Sequence, residues 1–68
     1  MTYAAIIERT DRNYSAFVPD LPGCVATGAT LEEVKANLRQ AITWHIEALR
    51  EDNMPIPLPR STAILVEV

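Results

Sequence analysis

Five prolines fall in two clusters, Pro19 and Pro22 early and Pro55, Pro57 and Pro59 late. Proline lacks the backbone donor that helices and sheet ladders use, so each cluster ends the element before it. The long proline-free window between them is where an extended regular element has room. Inside it, Thr30 is followed three residues later by Glu33. That spacing predicts a capping box, with the Thr30 hydroxyl on the Glu33 amide and the carboxylate returning to the Thr30 amide. Glu32 and Glu33 also suit the positive end of the helix dipole. From Leu31 onward Val34, Leu38, Ala41, Ile42, His45 and Leu49 share one face at helical period. Glu33, Lys35, Arg39, Gln40, Glu47 and Arg50 lie on or near the other. A helix of about 21–22 residues is predicted. Asn53 suits a left-handed C-cap, and Pro55 forbids continuation.

Before this helix the period changes to two. Residues 2–9 place Tyr3, Ala5 and Ile7 on one face and Ala4, Ile6 and Glu8 on the other, a strand partly buried on both sides. Thr10-Asp11-Arg12-Asn13 reads as a turn, with Asn13 expected in the left-handed conformation. Tyr14 to Val18 completes a hairpin that Pro19 stops. Cys24-Val25-Ala26-Thr27 is a third short strand. After the extended Pro55–Pro59 linker, Ala63-Ile64-Leu65-Val66-Glu67-Val68 is predicted as a final strand. The order βββαβ gives an α+β two-layer fold in a single domain, residues 1–68, with one helix on a three- to four-stranded sheet.

Sixty-eight residues bury only about 60% of the surface the unfolded chain exposes. One cysteine cannot form an internal disulfide, and a single histidine leaves no zinc constellation. A homo-oligomer, dimer or tetramer, is the remaining common remedy for so thin a core. Six basic against nine acidic residues give a net charge of −3. That argues against binding nucleic acid by phosphate neutralisation and suits a basic protein partner. No apolar stretch reaches the length of a membrane span, and the first residues lack the basic start of a signal peptide, so the expected location is cytoplasmic.

Catalytic constellations are sparse. Asp20, held between two prolines, has no second acid or base nearby in sequence, which favours a structural role binding loop amides in an Asx turn. His45 sits in the apolar stripe of the helix as a half-buried imidazole. Trp44 lies at the edge of that stripe, where it either covers the helix–sheet seam or anchors a partner. Cys24 has no activating cation and reads as a small buried hydrophobe. No cofactor and no metal site is expected. The residues by themselves favour a non-enzymatic interaction domain.

One combination is more specific. Tyr14-x-Ala16-x-Val18-Pro19-Asp20-Leu21-Pro22-Gly23-Cys24 is followed by Gly28-x-Thr30-x-Glu32-Glu33, Asn37 and Ala41-Ile42. It ends in Asn53-x-Pro55-Ile56-Pro57-x-Pro59. From about Tyr3 to Pro59 this resembles the HicB-like antitoxin family. The resemblance implies a partial RNase H-like βββαβ domain that binds and blocks small basic HicA-like toxins that cut mRNA. It also implies no working nuclease site. Full-length members add a C-terminal DNA-binding segment; with Val68 as the last residue, no direct DNA binding is expected here. Asn13 and Asn53 stand where many members have glycine, and Ala29 where an acid often precedes the capping threonine. The expected anchors for a toxin are the loop Pro19, Asp20, Leu21, Pro22 and Gly23 together with Trp44. The rival expectations are an orphan ligand-binding or scaffolding module of the same fold and a residual nuclease dependent on Asp20.

Overall fold

The computed structural model describes residues 1–68. Three short strands, β1 (Ile6–Arg9), β2 (Tyr14–Phe17) and β3 (Val25–Gly28), form an antiparallel sheet in the order β1-β2-β3. The helix α1 (Leu31–Glu51) packs across one face, lying over β3 and β2. The result is an α+β βββα arrangement. Helix α1 is not long and apolar enough to cross a membrane.

Alternation along the first strand decides which face meets the helix. Tyr3, Ala5 and Ile7 pack against the core, although the regular ladder begins only at Ile6. The core proper is Ala16 and Val18 from β2 and its exit, Leu21 and Cys24 from the next turn, and Val34 and Leu38 from α1. On the opposite face Ile6, Phe17 and Val25 stand directly across from one another and remain exposed.

The first hairpin closes by a different device from the one expected. Asn13 does not adopt positive φ; Asn53 is the only residue other than glycine that does. Instead the Thr10 hydroxyl accepts the amides of Arg12 and Asn13 at 3.3 and 3.0 Å, and the Thr10 amide donates to the Asn13 carbonyl at 2.8 Å. With these amides satisfied by one side chain, the turn needs no left-handed residue.

Both ends of α1 are specified locally. Thr30 is extended (φ −128°, ψ 165°) and its hydroxyl accepts the Glu33 amide at 3.1 Å. Only this half of the capping box forms. At the other end Asn53 has φ 53° and donates to Arg50 O at 3.1 Å, while Met54 donates to Leu49 O at 2.8 Å. These two bonds make a complete Schellman motif, and Asn53 supplies its left-handed residue.

The predicted fourth strand is absent. Residues 62–68 belong to no strand and are exposed. Alternating apolar residues specify a strand only where a ladder partner is at hand, and within one protomer this segment meets none.

Candidate functional site

The most ordered irregular segment is the connection from β2 to β3, built from two consecutive turns. Leu21 donates to the Val18 carbonyl at 3.1 Å, and Cys24 donates to the Leu21 carbonyl at 3.0 Å. Pro19 and Pro22 each occupy the second position of their turn, where a fixed φ near −65° is needed. Gly23 follows with φ +85°, the glycine that a type II turn requires. A further bond, Val18 N–H to Cys24 O at 3.2 Å, closes the base. Leu21 is 0% exposed and pegs the loop into the core, so Pro19, Pro22 and Gly23 are held outward.

Asp20 is not engaged with its own loop as an Asx turn would be. Its carboxylate reaches across the fold to the segment after α1. There Oδ2 accepts the amides of Arg60 and Ser61, each at 2.8 Å, and Oδ1 accepts the Ser61 hydroxyl at 2.9 Å. The Tyr3 hydroxyl donates to the Pro57 carbonyl and holds the same segment a few residues earlier. Between the two clasps lies an open groove of about 460 Å³ lined by Pro19, Asp20, Pro22, Pro57, Leu58 and Arg60. Sequence reading missed the contribution of residues 57–61 to this site. Nothing in local spacing links Asp20 to amides forty residues away, and the only hint was a carboxylate between two prolines with no partner of its own.

The Ser61 and Arg60 amides, in that order, hold the Asp20 carboxyl below its ordinary value of 3.8. A depressed folded-state pKa means that the clasp is fully present above the ordinary value and is lost as pH falls through the lower folded value. Acidification through that lowered folded value is therefore expected to release residues 60–61, and Asp20→Ala to release them at every pH. Amide hydrogen exchange at Arg60 and Ser61 reads both effects. Unchanged protection of these two amides in Asp20→Ala would show that the clasp does not hold the segment.

Trp44 is 64% exposed, which removes the alternative that it seals the helix–sheet seam. Leu21, Leu38, Ala41 and Ile42 belong to one hydrophobic cluster, which ties the loop to α1. His45 is half-buried in the stripe, as expected. Cys24 is buried, and burial pushes its thiol up, opposite to what a thiolate nucleophile needs. The groove offers Asp20 as its one carboxylate, with no second acid among its walls.

This architecture has solved and sequenced relatives. Residues 3–67 match the family described as HicB_like antitoxin of bacterial toxin-antitoxin system. A chain in the solved structure of the HicA3 and HicB3 toxin-antitoxin complex superposes with a TM-score of 0.75 at 32% identity, covering 87% of this chain and 70% of that one. An uncharacterised 14.9 kDa protein of the rep-hol intergenic region of Haemophilus phage HP1 is 42% identical over 57 residues. That match takes in 84% of this chain but only 43% of the phage protein. A UPF0150 protein of Thermoplasma acidophilum is 37% identical over 67 residues, 97% of each chain, and one of Helicobacter pylori 34% over 64 residues, 94% of this chain and 89% of that protein. The PDLPGC loop, the capped helix and the Pro-Ile-Pro exit thus belong to a chain of the HicB-like antitoxin family.

Proposed function

We propose that the protein binds a small, basic, HicA-like mRNA-cleaving toxin in the cytoplasm and neutralises it by covering its active or RNA-binding surface, without catalysis of its own. The observation that carries this reading is the preformed Pro19–Gly23 loop. Its two turns and buried Leu21 fix an exposed rim before any partner arrives, which reduces the ordering cost of binding. Pro19, Asp20, Pro22 and Gly23 supply the contact edge, with Leu21 as the peg beneath. Trp44 supplies the large exposed aromatic that interface hot spots favour. A net charge of −3 speeds encounter with a basic partner and opposes nucleic acid.

The test is to mix the protein with the toxin encoded beside it and follow RNA cleavage. Silencing at near-stoichiometric ratio is expected; a toxin that neither binds nor loses activity would overturn the reading. Trp44→Ala is expected to weaken binding by about thirty-fold, the equivalent of about 2 kcal/mol. Because the side chain is exposed, the helical circular dichroism and melting temperature should stay unchanged. Isothermal titration against the toxin separates the two effects.

A further inference from the structure

We infer that residues 62–68 pair as a strand along the outer edge of β1 in a second copy of this chain, each copy giving one strand and receiving one. The argument starts from which backbone groups lack partners. Thr10 bonds to Asn13 at the end of the β1–β2 ladder, whose register pairs Glu8 with Ser15 and Ile6 with Phe17. Antiparallel pairs alternate between bonded and non-bonded, so Ile7 and Arg9 turn their N–H and C=O groups outward. The same counting from the Val18–Cys24 bond turns Val25 and Thr27 outward on β3. There the edge is already taken in part, because the Asn37 side-chain amide donates to the Thr27 carbonyl at 2.8 Å. Helix α1 also lies over β3 and β2 but does not reach β1. The open edge of the sheet is β1, and neither proline nor lysine blunts it.

The segment that lacks a partner is equally well defined. Ile64, Leu65, Val66 and Val68 are 70–117% exposed, and Glu67 is the only charge from Ser61 onward. A strand this apolar suits a sheet edge beside half-buried apolar side chains better than the surface of a basic toxin. Its alternation fits β1. Ile64, Val66 and Val68 would join the helix side beside Ile7, where Ile42, Ile46 and Leu49 are only half-buried. Leu65 would extend the exposed row of Ile6, Phe17 and Val25, with Glu67 in solvent on the face that carries Glu8.

A second copy, not the same one, receives the strand because of where the segment starts. The Tyr3 hydroxyl holds Pro57 beside the run into β1, and Asp20 then holds Arg60 and Ser61 at the turn between β2 and β3. With Arg60 and Ser61 held at that turn, residues 62–68 stay exposed and unpaired within one protomer. Reciprocal exchange closes a two-fold dimer and leaves no strand over for further addition. It also supplies the burial that a protomer with six buried apolar residues lacks.

The test needs no toxin and is independent of the reading above. Light scattering on the full chain at low micromolar concentration is expected to give twice the 7.6 kDa of one copy. The full-length double variant Ile64→Glu with Val66→Glu is expected to give half that mass with unchanged helical circular dichroism. Hydrogen exchange should protect the amides of residues 64–68 in the parent and expose them in the variant. A monomeric parent overturns the inference, whether its tail is protected on its own sheet or free. A variant that remains a dimer overturns it as well, because assembly would then run through another surface.

Discussion

Leu21→Ala is expected to lower stability by about 2–5 kcal/mol and to abolish toxin binding with it. Leu21 is 0% exposed and is among the largest fully buried side chains, in a core of only six. Truncating it removes buried methyl groups and leaves a cavity between the loop, β2 and α1. A domain this small has roughly 3–5 kcal/mol in hand, so one such loss leaves much of the population unfolded. The functional effect follows from the same atoms. The two turns are anchored to each other through Leu21, whose amide donates to Val18 and whose carbonyl accepts from Cys24. Without the side chain the Pro19 and Pro22 rim is no longer held at one height. Urea unfolding gives the stability change, and Leu21→Met is the control, with an expected cost below about 1.5 kcal/mol and binding retained. A Leu21→Ala midpoint within experimental error of the parent would show that the loop is not pinned by this residue.

What the sequence revealed and what it concealed divide by range. The faces of the first strand were readable because Tyr3, Ala5 and Ile7 obey a local period of two that burial then uses. Both ends of α1 were readable because Thr30 and Asn53 act within four residues of themselves. Asn13 looked equivalent to Asn53, but the Thr10 hydroxyl offered the hairpin a competing closure, and composition cannot rank the two. The Asp20 clasp was hidden because its partners are the amides of residues 60 and 61, and backbone amides leave no trace in a sequence. The final strand shows the opposite failure. Its pattern is a strand pattern, but a pattern states what a segment needs and not who provides it. For the candidate site, the exposed rim of the loop and Trp44 were legible. The groove formed when residues 57–60 come to lie against that rim was not.

Gly28→Ala should be the most damaging single-atom-scale change in the chain. Gly28 is the last residue of β3, buried, and α1 begins three residues later. A Cβ at this position would stand 2.5 Å from the Val34 amide nitrogen, 2.8 Å from Val34 Cα and 3.0 Å from the Glu33 carbonyl carbon. All three are backbone atoms of the helix's first turns, so no side chain can swing aside; the helix itself must move off the sheet. Val34 and Leu38, the buried residues of α1, would move with it. The cost belongs at or above the upper end of the roughly 1–3 kcal/mol typical of overpacking. At about 4–8 °C per kcal/mol for a domain of this size, the melting temperature should fall by more than about 12 °C. Gly23→Ala separates crowding from backbone strain. Its Cβ would meet nothing within 4 Å, but its φ of +85° penalises any side chain, at about 1–2 kcal/mol. Thermal melts followed by circular dichroism should therefore rank Gly28→Ala well below Gly23→Ala. The reverse order would mean that the helix can lift from β3 cheaply, and that Gly28 serves the loop and not the close packing of α1 on the sheet.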